Sequence, residues 1–352
     1  MAHYSRNVLE TADPEDSAAP DSPVSEPAPI APFVLGGPLR SGNRRATIVC
    51  LAIIGAVVAL PARGLYLGTG SSMEEGFMLV FPKEMLDGKV PNVDFLHLYG
   101  PGALQMLMGW YEVFGYTLES QRTFGLLQHV GLILGVYAMC RAWGHRLATI
   151  SAITATLLVL TPIGLSALAW EGAVALGVWS VVFAVRAVHT ADRQRTVALL
   201  ASGALAGLAL SFRPDLIVAL AMAHAVVAWT TRSVRWTAAG AVVGLVPMWI
   251  HLGIAGIGPS WRGMVADPVK YLRPGRELPR PPSFSKIDGA LQAVAEGPLD
   301  APWWRFPALA ANHQLFFWFF LVIITAIGSV VVAVALIRRF GSTPQRVTLL
   351  IG

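Results

Sequence analysis

The chain has 352 residues, of which 55% are hydrophobic and only 13% charged, with a formal net charge of +5. A soluble domain carries roughly 25% charged residues, whereas here the apolar residues arrive in blocks of about twenty, the length that crosses a hydrocarbon core. An ordinary soluble fold is excluded, and because the excess positive charge sits in short segments between apolar blocks, it reports orientation in a membrane rather than affinity for nucleic acid.

Residues 1–45 are rich in Pro, Ala, Ser, Asp and Glu without apolar periodicity, which predicts a disordered cytoplasmic tail. The first apolar block follows Arg44 and Arg45, too far into the chain and too long for a cleaved leader, and is expected to remain as an anchor. Apolar blocks at about 46–66, 123–140, 147–168, 172–188, 196–212, 214–231, 236–254 and 314–337 predict an all-α polytopic membrane domain over 46–352 with about eight transmembrane helices. The segment 101–118 is ambiguous, since it holds Glu112 among Trp110, Tyr111 and Tyr116, residues of an interfacial surface. Short Arg-rich loops stay cytoplasmic, and that rule decides the matter. With 101–118 lying in the interface, the loops at Arg141–Arg146, Arg186–Arg195, Arg232–Arg235 and Arg338–Arg346 all fall on the side of Arg40, Arg44 and Arg45. Both termini are then inside, and two external loops, about 67–122 and 255–313, lie outside. The last residues, RVTLLIG, begin a further apolar run, as expected of a piece of a longer protein.

The glycine pairs Gly131/Gly135, Gly203/Gly207 and Gly240/Gly244 have the spacing that lets helix backbones approach closely. Trp143, Trp170, Trp229, Trp236 and Trp261 near span ends are expected headgroup anchors. Cys50 and Cys140 lie inside apolar blocks without ligand spacing, so neither a disulfide nor a zinc site is implied. His129 and His224 fall within spans and are expected to be hydrogen-bonded packing residues. No metal site is predicted.

The first external loop gathers Glu74, Glu75, Glu84, Asp87, Asp94 and His97, interleaved with Phe77, Leu79, Phe81, Phe95 and Leu98, which require burial. The acids are therefore expected to be held against a surface. The order Glu74-Glu75-Gly76, then Leu86-Asp87-Gly88, then Val90-Pro91-Asn92-Val93-Asp94-Phe95, then the Tyr99-Gly100-Pro101-Gly102 turn resembles the first external loop of GT-C fold glycosyltransferases, in the branch of protein mannosyltransferases and lipid A aminoarabinose transferases. Two departures stand out: Glu74 replaces the usual Asp, and Gly100-Pro101-Gly102 replaces a Pro-Pro turn. The resemblance implies two juxtamembrane helices and a catalytic carboxylate in this loop, Glu74 or Glu75, with Asp94 supporting. It also implies a polyprenyl-phosphate-linked sugar as donor, a cell-envelope glycan, lipid or protein as acceptor, and no dedicated cofactor, although some relatives use a metal.

The chemistry suits such residues, because a carboxylate can take the acceptor hydroxyl proton while cations hold the departing phosphate. The resemblance makes Arg213 the candidate for the carrier phosphate. Cations of the second external loop, Arg262, Lys270, Arg273, Arg276, Arg280 and Lys286, call for an anionic partner, and Arg273 and Arg276 join Arg213 as candidate phosphate ligands. His97, Tyr99, Glu171 and Asp215 are candidates for lining the same cavity. The rival readings are a lipid-linked sugar transporter or flippase, which would place charge midway through several spans, and a catalytically silent membrane scaffold.

Overall fold

The computed structural model describes residues 44–67, 72–231 and 233–272 and the single residue 327. Apart from Arg44, Arg45 and Ile327, the predicted tail and the eighth predicted span lie outside the described residues, as do Arg273 and Arg276. Among those described, the chain is all-helical, with one isolated bridge between Pro91 and Phe95. Its helices are α1 (Arg44–Leu67), α2 (Ser72–Leu86), α3 (Gly102–Phe114), α4 (Leu118–Cys140), α5 (His145–Ile163), α6 (Ala169–Val188), α7 (Asp192–Phe212), α8 (Ile217–Thr231), α9 (Val234–Gly244), α10 (Val246–Ala255) and the short α11 (Ile257–Trp261). Four of them, α1, α4, α6 and α7, are long and apolar enough to cross a bilayer, and α9 with α10 makes a fifth if the bent pair is one span. Helices α5 and α8 are apolar but shorter.

The bend between α9 and α10 is 50° and has a local cause. Pro247, in the first turn of α10, lacks the N–H that would reach the Val243 carbonyl, and its ring crowds that turn. The Trp249 indole bridges the break by donating to the Val242 carbonyl at 3.1 Å.

Close packing between spans depends on the predicted glycine pairs. A Cβ on Gly203 or Gly207 would collide with the Thr237 or Ala241 carbonyl, and one on Gly240 or Gly244 with the Leu200 or Ala204 carbonyl. Helices α7 and α9 thus run parallel with their backbones in contact, the arrangement that small residues permit where lipid offers no hydrophobic driving force. Gly135 plays the same part between α4 and α6, where a Cβ would sit 2.9 Å from Val178 Cγ1. Helix α1 is peripheral and buries only Ile54, which packs with Ile133, Tyr137, Ala148 and Ala152.

The contacts give each helix a direction. The Tyr66 hydroxyl at the end of α1 lies 3.0 Å from Thr123 Oγ1 at the start of α4, so the intervening α2 and α3 leave and return at the same end of the bundle. The α5–α6 connection and the α7–α8 turn join them there: Gly125 abuts Leu165, Gly172 abuts Phe212, and Gly100 abuts Ser211. The turns carrying Arg141, Arg146, Arg186 and Arg195 belong to the opposite end, with the start of α1. At 13 residues, α3 is about 20 Å long at ~1.5 Å per residue, too short to cross.

Candidate active site at the loop-bearing end

The loop folds on its aromatic residues. Phe77 stacks on Phe81 at 5.0 Å between ring centroids, and Phe81 on Phe95 at 4.8 Å. His97 meets Phe81 edge-on at 6.0 Å and Tyr99 at 5.9 Å, and the Arg213 guanidinium lies 4.9 Å from the Tyr99 ring. A continuous run of rings therefore leads from the helix bearing Glu74 to the cation at the end of α7. Beneath it, Met78, Leu104, Leu107 and Tyr111 form the core that joins α2 to α3. The Tyr111 hydroxyl donates to the Met78 carbonyl at 3.1 Å, and its burial pushes the phenol above its ordinary range.

The Gly100-Pro101-Gly102 turn docks this unit onto the bundle. The Gly100 N–H donates to the Phe212 carbonyl at 2.9 Å, and any side chain at Gly100 or Gly102 would collide with Ser211. A second attachment comes through Asn92, which sits at φ 64°, a conformation Asn tolerates better than most residues. Its side-chain oxygen accepts from the His97 N–H at 3.3 Å, and its amide donates toward His251 Nε2 of α10 at 3.5 Å. Gly263, in the wide turns following α11, lies against the Asn92 side chain.

The two adjacent glutamates have different fates. Glu75 is buried and receives Arg122 Nε at 2.7 Å and Arg122 Nη2 at 2.9 Å, while Arg122 Nη1 donates to the Tyr66 carbonyl at 2.5 Å. That bidentate clamp ties α2 to the ends of α1 and α4. Glu74, half-buried one position earlier, makes no hydrogen bond or ion pair among the described residues. Asp94 is exposed and caps its own turn, accepting from the Val90 N–H at 2.7 Å. Glu84 binds Lys89, which raises the lysine pKa, and Lys83 reaches Asp87 at 3.4 Å.

Arg213 is held by Asp215 through contacts of 2.8 and 2.5 Å and keeps a quarter of its side chain exposed. His97 is fully buried, its Nε2 donating to the Gly100 carbonyl at 3.3 Å. Burial drives its pKa down to about 4, partly offset by that carbonyl and reinforced by nearby His251.

No family model, curated protein or solved structure matches the chain.

Of the candidate residues, the structure joins Tyr99, Arg213 and Asp215 directly and links His97 to them through the ring contacts. Glu171 lies instead inside the bundle, fully enclosed between α4 and α6 beside His129. Of the second-loop cations, Arg262 and Lys270 lie within the wide turns Arg262–Ala266 and Pro268–Leu272. Sequence reading missed Arg122, Asn92 and His251. Arg122 stands in a polar helix start, TLESQR, whose long-range partner leaves no local trace, while Asn92, in a turn-forming Pro-Asn pair, could have been suspected.

Proposed function

We propose that the chain is a membrane glycosyltransferase that moves a sugar from a polyprenyl-phosphate carrier to a cell-envelope acceptor at the external face of the membrane. The observation that carries this reading is the linked run from α2 to Arg213: Glu74, a carboxylate unpaired among the described residues, stands one turn from the aromatic stack that ends beneath a partly exposed guanidinium. Transfer with inversion needs a base for the acceptor hydroxyl and a cation for the leaving phosphate, and here Glu74 lies on the docked loop and Arg213 on the bundle turn it docks against. Because Glu75 is committed to Arg122, Glu74 is the base, and exposed Asp94 is placed to meet the acceptor. Orientation follows from charge: the basic turns at the opposite end of the bundle face the cytoplasm, leaving the loop outside.

The test uses membranes containing the full chain and polyprenyl phosphates loaded with radiolabelled pentoses or hexoses. Transfer of label to membrane or envelope material is expected for the wild type and abolished in Glu74→Gln at unchanged protein level. Absence of transfer by the wild type refutes the reading, and retention of full transfer by Glu74→Gln refutes Glu74 as its base.

A further inference from the structure

Inside the bundle, α4 and α6 enclose a polar cluster that the transferase reading does not use. Gln121, Gln128 and His129 share one face of α4 with Gly125 between them. Opposite stand Ser166, in the α5–α6 connection, and Glu171, in the first turn of α6. All five polar side chains are buried, with His129 and Glu171 at 0% exposure. Glycines let these elements close on one another: a Cβ on Gly125 would strike the Leu165 carbonyl, and one on Gly172 would lie 2.6 Å from Gln128 Nε2. Among the described residues, no protein group hydrogen-bonds either glutamine amide, the Ser166 hydroxyl or either Glu171 oxygen. Buried groups left in this way are normally satisfied by bound water.

The geometry also counts protons. His129 Nδ1 lies 2.7 Å from the Gly125 carbonyl, which can only accept, so Nδ1 carries a hydrogen. Its Nε2 is 3.4 Å from Glu171 Oε2. A neutral imidazole would there turn a lone pair toward an ionised carboxylate, two acceptors face to face inside a membrane. One further proton removes the conflict. Placed on Nε2, it would leave two buried charges and a carboxylate whose other oxygen receives no donor. Placed on Glu171, it gives a neutral acid donating to imidazole, the cheaper form away from water.

Among the described residues, no other charged side chain bonds to this cluster. From α5 comes the Val159 carbonyl toward the imidazole, and from α7 the Phe212 ring against Gly172. From α3 comes Ala103, packed with Ala169. Two of the charged groups at this end of the bundle are tied to partners of their own, Arg122 to Glu75 and Arg213 to Asp215.

We propose that the α4–α6 interface is a buried proton-binding site in which Glu171 holds one exchangeable proton against His129, and Gln121, Gln128 and Ser166 hold the waters through which it exchanges. Amide N–H donors stand among the acceptors, which suits water, whereas a bare metal cation would leave those donors unsatisfied. Gln121 and Gln128 are about 10 Å apart along α4, at ~1.5 Å per residue, and Gln121 adjoins Arg122 at the loop-bearing end, which gives the exchange path its direction. The proposal stands independently of the transferase reading.

Infrared spectroscopy of the full chain in lipid, at about pH 7 where exposed carboxylates are ionised, tests it. A protonated-carboxyl band is expected, absent from Glu171→Gln, shifted in wild type on transfer to heavy water, and moved to higher frequency in His129→Phe. The Gln121→Leu, Gln128→Leu double variant keeps the band but delays the heavy-water shift. If glutamate-labelled wild type itself shows no protonated-carboxyl band, Glu171 is ionised and the proposal fails, whatever the fate of the variants. A band whose exchange is equally fast in the double variant overturns the water path.

Discussion

Glu74→Gln and Glu75→Gln are chemically identical substitutions at neighbouring positions, and the structure predicts opposite outcomes. The Glu75–Arg122 pair is nearly closed to solvent, with side-chain exposures of 8% and 5%, and its two contacts match the fork of the guanidinium. Breaking a buried pair by removing one charge costs about 3–5 kcal/mol, because the other charge stays buried without its partner. Here the lower end applies, since Arg122 keeps the Tyr66 carbonyl and a glutamine oxygen can still accept one N–H. A loss of about 3 kcal/mol lowers the docked-to-undocked ratio of the loop roughly a hundredfold. Glu74 has no partner among the described residues, so Glu74→Gln should change stability by no more than about 0.5 kcal/mol, as at other sites without such features. The assay pairs thermal unfolding of the detergent-solubilised full chain with protease sensitivity of the 72–117 segment. Glu75→Gln is expected to melt earlier and be cut faster, and Glu74→Gln to match wild type while losing transfer. A Glu75→Gln protein as stable as wild type would refute the clamp, and a stable Glu75→Gln that loses transfer while Glu74→Gln keeps it would reverse the assignment of the base.

Other expectations follow from single contacts. Gly207→Ala places a methyl against the Ala241 carbonyl and should cost about 1–3 kcal/mol by overpacking, whereas Gly55→Ala, with nothing within 4 Å, should be neutral in the same unfolding measurement. His97 is neutral when the loop is docked, with a folded pKa of about 4 against the ordinary 6.5. The undocked state therefore takes up a proton first, and stability is lost as pH falls from 6.5 toward 4, by about 2 kcal/mol between pH 7 and 5. His97→Gln should flatten that part of the acid limb, seen as a smaller fall in melting temperature over the same range. Arg213→Ala should raise the KM for the polyprenyl-phosphate donor about 10- to 100-fold, the worth of a hydrogen bond to a charged group, with Arg213→Lys intermediate because it keeps charge but not the fork.

The glycine pairs show where local sequence is enough. Spacing alone marked Gly203/Gly207 and Gly240/Gly244 as contact surfaces, since a four-residue period places both members on one helix face whatever the partner, and the structure sets the two pairs against each other. The interfacial placement of 101–118 rests on Glu112 among its aromatic residues and on the charge of the later loops, and the 13-residue length of α3 agrees with it. His224 also follows its expectation, hydrogen-bonded to Ser202 and to the Leu220 carbonyl. By contrast, nothing in the sequence distinguished Glu74 from Glu75. Their separation depends on Arg122, 47 residues away from Glu75, and on which side of α2 faces the bundle. Glu171 was expected at a cavity because it stands at a span end beside Trp170, yet α6 turns it toward His129.

By itself the sequence determined the lipid-solvated composition, the apolar helices and the glycine faces, and it placed the acids of the first loop among residues that demand burial. These are local quantities, fixed by residue type and spacing along one segment. Which carboxylate is clamped, which is free, and which is sealed between helices was decided only by tertiary structure. Burial and ion pairing depend on groups brought together from distant positions, and a rotation of α2 by one residue would exchange the roles of Glu74 and Glu75.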